Sequence, residues 1–268
     1  GWREYNYNLA ECTAPLSKIS TWKSDIPLLK KMGVVGLNIE CLFHWQIYGP
    51  HTWLITRMAW DADLDVDAAM DDFYTRFGEE AGPHLKAYWT RIDEAYRTTD
   101  IHVGSFYGLH VVWTPALVKA CDQDLTAAAQ AATRPIVKER VQMFRDGFEN
   151  VRFYLALREA QNACDFVKAK SIYDTWIAHM DDIHARKIHM IGEYKDGYAP
   201  RFLGAAINKG AERVQAPYAL VARLPDVWQF HYDMKEEGVA AEWFKEKLDT
   251  TDWQPIKTYS ATLQEQKV

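Results

Sequence analysis

The sequence lacks the short motifs that mark several large classes of enzyme. It has no GxGxxG or GxxxxGK[ST] phosphate loop and no GxSxG nucleophile elbow, which argues against nucleotide binding and serine hydrolase chemistry. The metal-binding HExxH pattern is also missing. His179, His184 and His189 are spaced by five residues, so each is turned away from the last on a helix. We therefore expect neither a metal nor a cofactor.

Cysteine pairs, long apolar runs and excess positive charge are lacking as well. The cysteines have no CxxC spacing, and we expect mostly free, buried thiols at Cys12, Cys41, Cys121 and Cys164. No apolar run reaches the roughly 18 residues that span a bilayer, so no membrane span is expected. The net charge of 31 − 37 = −6 argues against nucleic acid as a partner, because phosphates attract a basic surface.

Aromatic residues are abundant in this chain of 268 residues. They make up 13% of it and include 11 Trp, in an otherwise ordinary globular composition. Trp and Tyr suit sugar and protein contacts as well as cores, so both interpretations stay open. The chain opens on strand-like sequence without an initiator Met, GWREYNYNL, which we interpret as a cut through a larger protein. The lack of a signal peptide then carries no information about the compartment.

Residues 1–60 are predicted to form a β-α-β-α segment. A first strand ends near Leu9, and a helix capped by Ser24 ends at Gly33. The apolar run Val34–Ile39 follows, and its composition is typical of a parallel strand that is covered on both faces. A strand, a crossover helix and a second strand make one βαβ unit with parallel strands.

Residues 61–217 are predicted to be helical, and residues 218–268 to be β-like. Apolar residues recur every three or four positions in two successive helices, which predicts neighbours in an antiparallel bundle; they are Val141, Phe144, Phe148, Val151 and Leu155, then Phe166, Ala169, Tyr173, Trp176, Met180 and Ile183. The last segment has room for two or three strands, too few for an independent sandwich. The predicted fold is therefore mainly α, with α/β and β parts.

Glu40 is the strongest candidate for a functional residue, because it follows the predicted strand at its carboxyl end. Ligands of parallel α/β sheets bind at that end. The matching position after the first strand holds polar residues, and aromatic residues follow Glu40; the candidates for substrate binding are Glu40, Trp45, His44, Tyr48 and Asn8, with Glu11 as a further carboxylate. Paired carboxylates such as Glu40 and Glu11 can also perform glycosidic acid–base catalysis. A structural salt bridge for Glu40 and a solvated loop position for Glu11 remain alternatives.

Three stretches together resemble the end of a (β/α)8 barrel that runs into a helical domain: LLKKMGVVGLNIE, TWLITRMAWDADLDVDAAMDDFYTRFG and HLKAYWTRIDEAY. This succession is similar to a large bacterial family of uncharacterised proteins from polysaccharide-degradation loci, related in layout to alpha-glucuronidases and beta-hexosaminidases. The final stretch, VWQFHYDMKEEGVAAEWFKEKLDTTDWQPI, is similar to the opening of a galactose-binding-like β-sandwich.

The resemblance implies part of a carbohydrate-active enzyme, a glycoside hydrolase that acts on an oligo- or polysaccharide and is secreted or periplasmic. It implies that Glu40 holds sugar hydroxyls and that Trp45 stacks on a sugar. Six barrel strands and most catalytic acids would lie upstream, so we expect the chain alone to be inactive. Two alternatives remain. One is a non-catalytic glycan-binding protein that uses Trp113 or Trp253, and the other is a helical interaction protein.

Overall fold

The computed structural model describes residues 1–7, 14–41, 44–100, 108–186, 198–215, 217–219, 221–245, 247–258, 261, 263 and 266, with side chains from residue 203 onward in the segment 198–215. The fold is mainly helical, with two small sheets of two strands each. The chain divides into two compact units, Gly1–Tyr218 and Ala219–Val268. Within the described residues, the strands close neither a barrel nor a sandwich.

The first unit begins with a β-α-β-α segment, in the order that the sequence predicts. It consists of β1 (Trp2–Tyr5), α1 (Ile19–Lys31), β2 (Leu37–Glu40) and α2 (Trp45–Trp60). The two strands are parallel, with Trp2 opposite Leu37 and Tyr5 opposite Glu40. Both strands therefore end at the same edge of the sheet, and Glu40 lies at that edge.

The position and burial of β2 differ from the prediction of a fully covered strand over Val34–Ile39. Pairing begins only at Leu37, and the preceding Val35 is 95% exposed. Leu37 and Ile39 pack on the helical core, whereas Asn38 between them is exposed. In the described part of the chain this sheet has helices on one face only, which explains the exposure of the other face.

The rest of the first unit is a succession of helices. They are α3 (Val66–Gly78), α4 (Gly82–Thr98), α5 (Leu109–Val112), α6 (Pro115–Ala131), α7 (Pro135–Asn162), α8 (Phe166–Ala185) and α9 (Tyr198–Arg213), with a short 3-10 turn at Glu79–Ala81. Three of the helices begin at a side chain that accepts a hydrogen bond from a first-turn N–H, the usual N-cap: Asp65 before α3, Thr114 before α6 and Asp165 before α8.

Helix α1 begins at Ile19, five residues before the predicted cap Ser24. A carboxylate from α4 substitutes for a local cap: Asp93 accepts hydrogen bonds from the Ser20 N–H at 3.2 Å and from the Ser17 hydroxyl at 2.6 Å. A negative charge at this end of the helix also complements its dipole. The end of α1 agrees with the prediction, because Gly33 adopts φ +81° just beyond it.

Helices α7 and α8 bury most of the stripe residues that the sequence predicts; on α8, Phe166 and Tyr173 are only half-buried. Of the predicted α7 residues, Val141, Phe144, Phe148 and Val151 are buried, and Leu155 is half-buried at the edge of the stripe. The two helices pack against each other across a connection of only three residues. The indole N–H of Trp176 on α8 donates to Asn150 Oδ1 on α7 at 2.8 Å, within the buried contact.

Helix α7 also crosses α2, and Gly147 lies at the crossing. A Cβ atom at Gly147 would be 2.5 Å from the backbone oxygen of Gln46 and 2.9 Å from Ile47 Cγ2. Gln46 and Ile47 are both fully buried. The two helix backbones can approach this closely only because the residue at position 147 has no side chain.

The second unit contains one antiparallel pair, β3 (Val227–Phe230) and β4 (Gln254–Lys257). Three aromatic rings cluster beside it: His231, Trp243 and Trp253 have ring centroids 5.3–5.8 Å apart. In the part of this unit that the structure describes there is one sheet, whereas a sandwich needs two.

Cysteine burial is mixed. Cys121 is buried as expected, but Cys41 is exposed because it immediately follows β2 at the open edge of the sheet, and Cys12 lies outside the described residues. In the described ranges, no helix has both the length and the apolar character needed to cross a membrane.

Replacing Gly147 by Ala should destabilise the first unit by about 1–3 kcal/mol, because the added methyl group overlaps the backbone of α2. Urea denaturation measures this change. Gly36→Ala is the matched control, since a Cβ atom there meets nothing within 4 Å. A Gly147→Ala protein as stable as the control would contradict the close crossing.

His51 links α2 to the end of β1, because its Nε2–H donates to the Asn6 backbone oxygen at 2.9 Å. Complete burial lowers the pKa of His51 to about 4. The unfolded chain therefore binds a proton at this residue between pH 6.5 and about 4, whereas the folded chain does not. Stability should fall by about 3 kcal/mol as the pH decreases through this window. Urea denaturation at pH 7.5, 5.5 and 4.5 tests this, and His51→Gln should remove that part of the pH dependence. An unchanged pH dependence in the variant would exclude His51 as its source.

Candidate functional site

Glu40 is the last residue of β2 and lies at the carboxyl edge of the parallel pair. Its backbone oxygen accepts a hydrogen bond from the Asn6 N–H at 2.9 Å, which extends the pairing one residue past β1. Paired residues of parallel strands point to the same face, so Glu40 shares a face with Tyr5. This is the exposed face of the sheet, opposite the helices.

Two side chains from β1 and the residues after it hold the Glu40 carboxylate. The Tyr7 hydroxyl donates to Oε1 at 2.5 Å, and Arg3 Nη2 donates to Oε2 at 2.5 Å. The Tyr7 hydrogen bond, with a smaller contribution from Arg3, lowers the pKa of Glu40 below its usual value despite some desolvation. The side chain remains 40% exposed. The site therefore presents an ionised carboxylate that solvent can reach.

Alternation along the first strand places three side chains on the same face as Glu40. Arg3, Tyr5 and Tyr7 are two residues apart, the period of a strand. The Arg3 guanidinium lies 5.0 Å from the Tyr5 ring, and the Tyr5 and Tyr7 rings meet edge to face at 5.5 Å. We did not single out these three residues from the sequence. The alternating pattern REYNY indicates that the three residues share one face of a strand. Only the strand register shows that Glu40 lies on the same face.

The opposite face of the same strand anchors it to the helices. Asn6 is buried, and its amide donates to Thr52 Oγ1 on α2 at 2.7 Å. Glu4 accepts from Lys18 Nζ at 2.9 Å. Alternate residues therefore attach the strand to the core, and the residues between them form the exposed row around Glu40.

His44 and Tyr48, two of the predicted binding residues, lie next to each other at the start of α2. Their rings stack on each other, with centroids 6.3 Å apart and planes 15° apart. Tyr48 is only 1% exposed and belongs to a small core cluster with Leu16 and Ile47. This burial favours a supporting role for Tyr48 over a contact with a ligand.

Trp45 lies in an aromatic cleft of about 350 Å³ between α2, α3 and α7. The cleft is lined by Trp45, Trp53, Phe73 and Phe77, with Asp72, Arg76 and Arg140 among them. Trp45, Trp53 and Phe77 are half-buried, so each presents part of a ring to the cleft. The structure therefore assigns Trp45 to a recess built by the helices, while Glu40 is held by β1.

Two of the predicted site residues, Asn8 and Glu11, lie outside the described residues, and so does His189. Among the residues that the structure describes, no group of three or more His, Cys, Asp or Glu side chains could hold a metal ion. His179 instead contacts the Asp146 backbone oxygen at 3.4 Å and the Phe153 ring at 5.5 Å.

The arrangement around Glu40 can accept hydrogen bonds from a neutral polar ligand and offer Tyr5 for contact. It does not resemble a general acid, because a carboxyl that donates a proton at neutral pH needs a raised pKa. Glu4, the other carboxylate of the two described strands, points to the opposite face. A pair of catalytic carboxylates across one bond is therefore not present in this part of the sheet.

Comparison with known families matches residues 2–90, about a third of the chain, to a domain of unknown function, DUF4838. No curated protein and no solved structure matches the chain. The family match agrees with the resemblance to uncharacterised proteins, and its description names no glycoside hydrolase. From β1 into α4, the chain is similar to this domain.

Proposed function

We propose that this chain is the carbohydrate-recognising part of a glycoside-hydrolase-like protein, with Glu40 as an acceptor for sugar hydroxyls. The observation that carries the proposal is an ionised, accessible carboxylate at the carboxyl edge of a parallel β-α-β unit. Ligands of parallel α/β folds bind at this edge. The Tyr5 ring beside it supplies a flat apolar face.

The role of Glu40 in this proposal is binding and not proton transfer. Tyr7 and Arg3 both favour the ionised form, which accepts hydrogen bonds and has no proton to donate. Glycosidic cleavage needs a second carboxyl group in fixed geometry. In our proposal the remaining barrel strands and the catalytic acids belong to a longer parent chain, and residues 218–268 begin a β-sandwich. Secretion or a periplasmic location, and an oligo- or polysaccharide partner, are parts of the same proposal.

The alternative of a non-catalytic glycan-binding protein loses one of its candidate contacts. Trp113 is 1% exposed and lies in the core, so its loss would disturb folding before it affected binding. Trp253 packs with Trp243 and His231 and is half-buried, so part of its ring stays accessible and it remains the candidate contact of this alternative.

Replacing Glu40 by Gln should weaken oligosaccharide binding by at least about tenfold, because hydrogen bonds to a charged acceptor are lost. We would screen cello-, xylo-, manno- and galacto-oligosaccharides by calorimetry and compare the variant on the best ligand. Glu4→Gln is the matched control, since it removes a carboxylate from the opposite face of the neighbouring strand. The chain should hydrolyse none of the ligands.

Three results would contradict this proposal. The first is equal affinity of Glu40→Gln and the unchanged chain for every sugar that binds. The second is the absence of binding throughout the screen. The third is hydrolysis that disappears in Glu40→Gln, which would assign Glu40 a catalytic role.

A further inference from the structure

Two arginines at or near the cleft around Trp45 have no carboxylate partner among the described residues. Arg140 lies over the Phe77 ring at 4.8 Å and donates to the Phe77 backbone oxygen at 2.9 Å. Arg57, on the exposed side of α2, lies over the Trp53 ring at 5.5 Å. Within the described ranges of the chain, neither guanidinium contacts a carboxylate. Both are instead held by aromatic faces or carbonyl oxygens.

Among the residues that the structure describes, Asp72 is the one carboxylate that lines the cleft, and it is already paired. Asp72 accepts from Arg76 Nε at 2.5 Å, one turn further along α3. Of the residues that line the cleft, two carry a guanidinium group and one carries a carboxylate, so its rim attracts an anion. Arg140 is half-buried between α3 and α7, where a charge is screened less than on the open surface.

The aromatic residues that line the cleft favour a ligand whose remaining surface is apolar. Trp45, Trp53 and Phe77 present apolar faces, and the Phe73 and Phe77 rings stack at 5.1 Å to form one side. The cleft is open to solvent on one side. Its apolar faces suit contact with one ring of a ligand, and Arg140 at the rim suits a negative substituent on that ring.

We propose that this cleft binds a single sugar unit that carries an anionic group, either a carboxylate or a sulfate ester. The ring packs between the tryptophans, and the anionic group accepts hydrogen bonds from Arg140. A guanidinium group presents parallel N–H donors, which match a pair of oxygens on a carboxylate or on a sulfate ester.

The inference does not depend on the role of Glu40, because the two sites share no side chain. Trp45 follows Glu40 by five residues, so even an extended chain would separate their Cα atoms by at most about 18 Å. The face of the sheet that carries Glu40 is nevertheless the one opposite the helices that build the cleft, so the two sites are tested separately.

The test uses three sugars that differ only at carbon 6: galactose, galacturonate and galactose 6-sulfate, with inorganic sulfate as a fourth probe. The indole N–H signals of Trp45 and Trp53 are followed by NMR in the nitrogen-15-labelled chain. We expect at least one of the two anionic sugars to shift these signals with a Kd at least about tenfold below that of galactose. Added salt should weaken this binding.

Arg140→Gln should abolish the preference for the anionic sugar, and Arg140→Lys, which keeps the charge, should retain part of it. Arg152→Gln is the matched control: Arg152 is on the same helix and lies over the Phe148 ring at 5.3 Å, but it lines a different cleft. Circular dichroism establishes that each variant is folded. Glu40→Gln should leave binding at the cleft unchanged, so failure of one site is distinguishable from failure of the other.

Three outcomes would overturn the inference. Galactose could bind as tightly as both anionic sugars, or Arg140→Gln could retain the full preference for an anion. Inorganic sulfate could also bind as tightly as galactose 6-sulfate, which would mean that the sugar ring contributes nothing. Preference for galacturonate alone, or for the 6-sulfate alone, supports the inference and identifies the anionic group.

Discussion

The crossing of α2 and α7 at Gly147 is the contact on which the rest of the first unit depends. Helix α2 belongs to the β-α-β-α segment, and α7 is the long helix at the centre of the helical part, so their backbones join the two parts directly. No side chain can be inserted at this point without moving one helix. The same two helices, with α3, supply the residues that line the Trp45 cleft.

The charged groups at the two candidate sites have different kinds of partner. Glu40 has two donors that favour its ionised form, and it still offers its carboxylate to solvent. Arg140 in the cleft is held by a ring and by carbonyl oxygens, which leave its positive charge uncompensated among the described residues. The Glu40 site is thus suited to accept hydrogen bonds from neutral hydroxyl groups, and the cleft is suited to contact a negative group.

The parts of the fold that were predictable from the sequence are those in which burial follows a local period. The α7 stripe through Phe144 and Phe148 is buried as its spacing indicates, and Gly33 ends α1. The start of α1 was not predictable, because its capping carboxylate, Asp93, comes from another helix. The candidate site was likewise predictable only where it depends on local sequence. Strand-end placement identified Glu40, whereas its partners Arg3 and Tyr7 are 33 or more positions away in the sequence and depend on the strand register.

The register of β1 and β2 has a mechanical consequence for the two sites. Every described group that holds the Glu40 side chain comes from β1 or the two residues after it, so its orientation is fixed within a short piece of local architecture. The cleft is assembled from three helices, and α7 reaches α3 through the hydrogen bond from Arg140 to the Phe77 backbone oxygen. Asn6 and His51 also attach the end of β1 to α2. A shift of α2 would therefore move both the Glu40 carboxylate and the Trp45 side of the cleft.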